Sequence, residues 1–324
     1  MMIEMVRIIV LASLSMLMLS SSACGVNLPT AKLTLKVLDE NGTPIQGAKA
    51  SITFAGIKPI KGGIDDIAVK GLTDSSGMFS ASKSTTNEIA YGVEIADYYR
   101  SEGVYRFHNK EADKWQPWNH EIKVVMRRKE NPVPMYAQNL IMTHPKIEIP
   151  AVGKPVGFDL IEYDWEAPYG KGKHADLIFK LEMRYISGYD YDANLTITFL
   201  NKFDGIQVIK DDRKGGSVFK LPRYAAEEGY QNRLTRYIKS KGPGVLESDS
   251  RADNNYIFRV RSEVKDGKLI KAMYGKIQGD IGFFPTNKPK NTARLEFKYF
   301  LNPDYTRNLE YGKNIFPGVQ VGLD

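Results

Sequence analysis

The chain has 324 residues, of which 42% are hydrophobic and 26% are charged, and its formal net charge is +7. This composition is typical of a globular protein and excludes a disordered chain and a polytopic membrane protein. A net charge of this size, with no run of five like charges, does not favour a nucleic-acid partner. The length predicts two domains.

Residues 1–23 are predicted to be a lipoprotein signal peptide. Arg7 precedes an uncharged stretch at 8–19, and small residues then lead to Cys24. A basic start, a short apolar segment and a small-residue cleavage site make up a secretory signal. The cleavage site resembles a bacterial lipobox, although Ser21 stands where that motif usually has Leu. The start codon is open between Met1, Met2 and Met5, and initiation at Met5 would remove Glu4 from a region that should be basic.

Cys24 is the single cysteine of the chain. Exported proteins usually carry cysteines in pairs, so a lone cysteine at the lipobox position favours lipidation. The alternative is an incidental residue in an uncleaved hydrophobic anchor. The lipobox resemblance implies a bacterial cell-envelope protein that is attached to the membrane by a lipid on Cys24. Because Gly25 follows in place of the aspartate that signals inner-membrane retention, the outer membrane is favoured if the cell has one.

After a tether at 24–31, residues 32–128 are predicted to form a first antiparallel β-sandwich. Leu33, Leu35 and Val37 alternate with polar residues, as in a half-buried strand, and Asn41-Gly42 predicts a β-hairpin turn. Seven short strands with a turn about every ten residues are typical of a sandwich. The later strands are expected at 48–54, 67–73, 78–82, 90–96, 104–108 and 120–127.

Two segments of this half carry a family resemblance. They are 35–54 (LKVLDENGTPIQGAKASITF) and 73–79 (TDSSGMF). Together they resemble the carboxypeptidase regulatory-like, transthyretin-like β-sandwich domain. The resemblance implies the fold of 32–128 and a non-catalytic module, and it transfers no catalytic residue.

A linker is predicted at 129–135, because charged residues are followed there by two prolines. A second antiparallel β-sandwich of unknown family is predicted at 136–324. Asp266-Gly267 predicts a hairpin turn between two of its strands. Its strands are expected at 157–161, 175–185, 193–199, 256–264, 269–277 and 293–299.

An insertion at 210–255 interrupts the β pattern of the second domain. It contains Ala226, Tyr230, Leu234, Tyr237 and Ile238 at helical spacing. We expect a helix that covers a sheet, with a membrane-surface or anion-binding helix as the alternative. The predicted fold class is therefore all-β: two antiparallel β-sandwich domains in tandem, the second with a long, partly helical insertion.

Motifs for catalysis or metal binding are absent from the sequence. It contains no G-x-S-x-G, H-E-x-x-H, Walker loop or C-x-x-C, and its four histidines lack ligand spacing. Residues 190–194 resemble the opening of a calcium loop but lack its later glycine and glutamate, so a solvated turn is favoured. Asp164 and Glu166 could be imagined as a glycosidase pair, but two nearby loop carboxylates do not define such a site. No cofactor is predicted.

The candidate binding residues are aromatic side chains in polar, loop-like contexts. An exposed indole can stack on a sugar or anchor a protein partner, whereas a loop tryptophan can also fold back onto the sandwich core. The candidates are Trp115, Trp118, Trp165 and Tyr169.

Two function classes follow. The first is a non-catalytic cell-envelope lipoprotein that serves as a binding or structural module for a protein or glycan partner. The alternative is an envelope hydrolase whose site is built from loop carboxylates and histidine in the C-terminal domain. The missing motifs and the resemblance to a non-catalytic module favour the first.

Overall fold

The computed structural model describes residues 28–57, 64–211, 215–287 and 291–321. The predicted signal peptide and Cys24 lie outside these residues. The described residues fold into 24 β-strands and contain no helix. None of their segments is a helix long and apolar enough to cross a membrane.

The first nine strands belong to the N-terminal half of the chain. They are β1 (Thr30–Leu38), β2 (Lys49–Ile57), β3 (Ile64–Leu72), β4 (Met78–Ser84), β5 (Glu88–Glu94), β6 (Ser101–Arg106), β7 (Asn109–Glu111), β8 (Lys114–Gln116) and β9 (His120–Val125).

The remaining strands belong to the C-terminal half. They are β10 (Val133–Asn139), β11 (Pro155–Asp159), β12 (Asp164–Trp165), β13 (Leu177–Ser187), β14 (Asp190–Thr198), β15 (Gly205–Lys210), β16 (Gly216–Ser217), β17 (Arg233–Lys241), β18 (Leu246–Ser248), β19 (Asn254–Lys265), β20 (Lys268–Ile277), β21 (Gly282–Thr286), β22 (Thr292–Glu296), β23 (Lys298–Asn302) and β24 (Tyr311–Asn314).

Two five-stranded sheets form the N-terminal sandwich. One has the order β4-β1-β8-β7, with β9 also paired to β1, and the other has the order β16-β6-β5-β2-β3. The predicted alternation in β1 is confirmed, since Leu33, Leu35 and Val37 are completely buried. They face a core that includes Ile52 and Phe54 of β2. This half is therefore a β-sandwich with its own hydrophobic core.

The hairpin turn predicted at Asn41-Gly42 is present but short: Leu38 and Pro44 form a single antiparallel bridge across it. The pairing does not extend into β2, because β1 and β2 lie in different sheets and the chain crosses the sandwich after the turn. Gly42 adopts a φ of 84°, and Oδ1 of Asp39 accepts the backbone N–H groups of Asn41 and Thr43. The aspartate thus closes the turn from its first position.

Two six-stranded sheets and one hairpin form the C-terminal sandwich. The sheets have the orders β15-β19-β20-β23-β10-β24 and β12-β11-β13-β14-β17-β18, and β21 pairs with β22. A separate core includes Phe158, Phe179 and Phe297. The hairpin predicted at Asp266-Gly267 is confirmed: it joins β19 to β20, and both residues have positive φ, 52° and 74°.

The prediction of a helix in the insertion is wrong. Arg233–Lys241 forms β17, which pairs with β14 on one side and β18 on the other. Ile238 points inward, and Tyr237 is 44% exposed. The alternation of inward and outward residues that marks a strand is hidden in this sequence, because Arg236 occupies an inward position. Its guanidinium donates from Nη2 to Oδ2 of Asp280 at 2.8 Å. Because this buried ion pair replaces an apolar residue, the remaining apolar residues fit a helical spacing better than an alternating one.

Segment 129–135, predicted as a linker, makes hydrogen bonds along its length. Lys129 N–H donates to the Asp97 carbonyl at 2.7 Å, and the N–H groups of Glu130 and Asn131 donate to the Glu310 carboxylate. β10 begins at Val133, inside this segment. The bounds of the two domains stay a prediction.

Candidate functional site

The two sandwiches meet at a junction that the insertion completes. β16 of the insertion pairs with β6 of the N-terminal half, with Gly216 opposite Glu102 and Ser217 opposite Ser101. The chain then continues to Phe219, which is 2% exposed. A segment of the second half thus covers one edge of a sheet in the first half.

Three cationic groups surround the ring of Phe219. The Lys276 ammonium lies 4.2 Å from the ring centroid, and the guanidinium carbons of Arg127 and Arg223 lie 4.4 Å and 5.7 Å from it. Nη1 of Arg127 also donates to the backbone carbonyls of Phe219 and Leu221, at 3.0 Å and 2.7 Å. Cations over the face of an aromatic ring are attracted by its quadrupole. The Phe219 ring of the insertion therefore contacts side chains from both halves.

Three carboxylates balance this positive charge. Arg223 binds Glu40 through Nη2 at 2.6 Å and Glu310 through Nη1 at 3.0 Å. Its Nε lies 3.2 Å from the carboxylate of Glu130. Glu40 belongs to the first half and also pairs with Arg127 at 3.2 Å. Although burial acts in the opposite direction, the hydrogen bonds and charges of these arginines lower the pKa of Glu40. The junction is therefore joined by an ion-pair network between distant parts of the sequence.

Lys276 is the most deeply buried cation of the junction. Its Nζ donates to the Leu309 carbonyl at 2.7 Å, and the residue is 3% exposed. Burial, reinforced by the charge of Arg127, lowers the pKa of Lys276 to about 7. The nearby carboxylate of Glu310 opposes this shift without cancelling it. Lys276 therefore exchanges between its charged and neutral forms near neutral pH.

Tyr99 links this network to an open cleft. Its hydroxyl donates to the Tyr311 carbonyl at 3.2 Å, and its ring lies 5.0 Å from that of Phe219. Burial, together with the charge of Glu310, raises the pKa of Tyr99, so the phenol stays a hydrogen-bond donor. The backbone turns sharply just before it, where Asp97 has a φ of 65°. Tyr99, a residue of the first half, therefore contacts both the second half and the insertion.

The cleft above Tyr99 has a volume of about 650 Å³. Both halves contribute to it, and its position at an interface between sandwiches is a common one for ligand sites. Its lining residues are Gly47, Lys49, Glu94, Ile95, Ala96, Tyr98, Tyr99, Arg100, Lys129, Pro132, Tyr311 and Gly312.

The charged residues that line this junction cleft are mainly basic. They are Lys49, Arg100 and Lys129, with one acidic residue, Glu94, which is the cross-strand neighbour of Lys49. Arg100 is paired with Glu102 at 3.2 Å, and the Lys129 ammonium lies 5.6 Å from the centroid of the Tyr99 ring. Basic groups beside tyrosine faces suit an anionic ligand with a flat or ring-shaped part.

The structure separates the four predicted aromatic candidates. Trp165 is 6% exposed and packs edge-on against Phe158 and Phe179 in the C-terminal core. Trp115 is half-buried, and its Nε1 donates to the Thr85 carbonyl.

The other two candidates, Trp118 and Tyr169, are 39% and 41% exposed. The Lys114 ammonium lies 5.0 Å from the centroid of the Trp118 ring, and both candidates lie outside the junction cleft.

The carboxylates considered for catalysis or for a calcium loop make hydrogen bonds or ion pairs with nearby residues. Asp164 accepts the backbone N–H groups of Trp165 and Lys171, which closes the loop that follows it. Asp190 and Asp192 lie in β14 and pair with Arg184 and Lys239. Within the described ranges, no group of three histidine, aspartate or glutamate side chains is placed to hold a metal ion.

The junction cleft was missed by sequence reasoning. Lys49, Arg100 and Lys129 are separated by 51 and 29 positions (100 − 49 and 129 − 100), so no local charge run marks them. The only local signal is the pair Tyr98-Tyr99 beside Arg100. Recognising the cleft required the pairing of strands that bring these positions together.

The chain matches no family model and no curated protein. Among solved structures it is similar to 3-chlorocatechol 1,2-dioxygenase from Rhodococcus opacus 1CP, at 10% identity and a TM-score of 0.25, over 31% of this chain and 60% of the dioxygenase. It is also similar to the shaft pilin spaA from Lactobacillus rhamnosus GG, at 10% identity over 88% of this chain and 96% of the pilin, with a TM-score of 0.22.

A streptococcal ancillary pilin is similar at 10% identity over 89% of this chain and 63% of that protein, with a TM-score of 0.21. Scores this low carry no argument about function. The described residues are all-β, as predicted, but the helical part of the predicted insertion is absent from them. No comparison confirms the carboxypeptidase regulatory-like family for residues 32–128.

Proposed function

We propose that this protein is a non-catalytic, lipid-anchored protein of the bacterial cell envelope that binds an acidic glycan chain in the junction cleft. The observation that carries the proposal is the cleft itself, which both halves build and which combines three basic side chains with tyrosine rings. The hydrogen bond from Tyr99 to the Tyr311 carbonyl and the packing of Tyr99 on Phe219 join two lining residues from different halves, which favours binding with little reorganisation. A prearranged site of this kind suits recognition.

The first prediction concerns the ligand. Purified protein should bind a polyuronate, tested by titration calorimetry, more tightly than a neutral glucan, and the binding should weaken as salt is added. Replacing both Lys49 and Lys129 by alanine should weaken binding by about tenfold or more, because two charge-assisted contacts are lost. Tyr98→Ala should also weaken binding.

Two controls accompany these variants. Lys268→Ala removes an exposed lysine at the β19–β20 turn that does not line the cleft, and this variant should bind as the wild type does. Trp118→Ala tests the competing aromatic site. Equal binding of acidic and neutral glycans, or loss of binding in Trp118→Ala alone, would reject the cleft as the glycan site.

The second prediction concerns the anchor. If Cys24 carries the lipid, Cys24→Ala should leave the membrane fraction and lose metabolic labelling with palmitate. Membrane association that is unchanged and unlabelled in both wild type and variant would contradict lipidation while leaving the glycan proposal standing.

A further inference from the structure

One edge of the N-terminal sandwich has no partner strand among the described residues. The sheet β16-β6-β5-β2-β3 is covered at its β6 side by β16 of the insertion, and it ends at its other side with β3. β3 has nine residues and is the longest strand that ends a sheet in the described part of the chain. A long exposed edge presents unpaired N–H and C=O groups that can accept another strand.

The two faces of β3 differ in chemistry. Ile67 and Val69 lie opposite Phe54 and Ile52 of β2, which are completely buried, so these positions belong to the core side. Ile67 is nevertheless 45% exposed, because no other described strand covers the core beyond this edge. The core of the sandwich is thus open at β3.

The outer face of β3 carries Asp66 and Lys70. Their neighbours on β2 are Ala55 and Ser51, and within the described residues neither charge makes an ion pair. They are four positions apart on one strand, about 13 Å, which is too far for them to pair with each other. In the described part of the chain, both charges are therefore available to a second molecule.

The sequence of β3 is complementary to itself. If two copies pair antiparallel about Ala68, each Asp66 stands opposite Lys70 of the other copy, and each Ile67 stands opposite Val69. Directly opposite residues have Cβ atoms about 4.5–5.5 Å apart, which is close enough for ion pairs and apolar contacts. A two-fold axis repeats each of these contacts, as in an isologous interface.

We propose that β3 pairs with β3 of a second copy of this chain, with Ala68 on the two-fold axis. The pairing joins two five-stranded sheets into one, extends the apolar core through Ile67 and Val69, and neutralises four charges. A single strand pair makes a small interface, so the dimer forms reversibly and depends on protein concentration. The dimer does not depend on a ligand in the junction cleft.

The register can be tested by disulfide formation in the full chain. A residue on the two-fold axis lies opposite the same residue of the second copy, at a separation that a disulfide can bridge. Ala68→Cys should therefore form a covalent dimer on mild oxidation. Thr53→Cys, the neighbour of Ala68 on β2, should stay monomeric, and the unaltered chain reports any dimer formed through Cys24. Equal dimer yields for Ala68→Cys and Thr53→Cys would overturn the proposal.

A charge exchange tests the contacts without a covalent link. Asp66→Lys places lysines opposite Lys70 and should raise the dimer dissociation constant by about tenfold, as measured by sedimentation, with an unchanged melting temperature as the folding control. Combining Asp66→Lys with Lys70→Asp should restore the dimer. A chain that stays monomeric at all concentrations, or a double variant that fails to recover, would overturn the pairing.

Discussion

Lys276 shows how a single side chain ties stability to pH. In the folded protein its pKa falls from about 10.5 to about 7, because the ammonium is buried beside Arg127. Between these values the unfolded chain holds a proton that the folded chain has released, so stability rises with pH from about 7 to about 10. Below pH 7 both states are protonated, and this contribution is constant.

The prediction at this scale is that Lys276→Met stabilises the protein at and below pH 7. The variant removes the cost of burying a charge and loses one hydrogen bond to the Leu309 carbonyl, with an expected net gain of about 1–4 kcal/mol. Thermal melting from pH 6 to 10 measures both the gain and the expected loss of the pH slope. Lys268→Met, which alters an exposed lysine, should keep the wild-type profile.

A destabilised Lys276→Met chain with an unchanged pH slope would show that the Lys276 ammonium is well paired in the folded state.

The burial of Lys276 could not be predicted from the sequence. Nothing in the neighbourhood of Lys276 in sequence distinguishes it from an exposed lysine of an alternating strand, because its burial depends on Phe219, 57 positions earlier (276 − 219).

At the scale of elements, strands whose inward residues are apolar could be predicted from the sequence. β1 and β13 are examples, since the apolar residues that alternate along them mark the buried face directly. β17 could not be predicted, because Arg236 and Ser240 fill two of its inward positions. Pairing was harder still: a turn sequence such as Asn41-Gly42 does not say whether the next strand stays in the sheet or crosses the sandwich.

The structure of β17 makes a prediction that the helix would not. Ile238→Asp places a carboxylate in the core and should destabilise the protein by about 3 kcal/mol or more, whereas Tyr237→Asp should change stability by less than about 1 kcal/mol. In a helix both residues would share the apolar face and both changes would be costly. Urea unfolding of the two variants distinguishes these outcomes, and comparable losses would contradict the strand.

At the scale of the whole molecule, the junction makes one site from two sandwiches. β16 extends a sheet of the first half, and Arg223 binds carboxylates of both halves. The cleft walls come from segments near 49, 94–100, 129–132 and 311–312. A site of this kind leaves no motif in the sequence, because each segment supplies only one or two of its groups.

Hydrogen exchange of the protein, with and without a polyuronate oligosaccharide, tests the binding of an acidic glycan at the junction most directly. We expect slower exchange on binding at residues 94–100 and 311–312 together, since these segments belong to different halves and both line the cleft. The protection should vanish when Lys49 and Lys129 are both alanine. Protection confined to one half, or centred on Trp118, would rule out glycan binding at the junction.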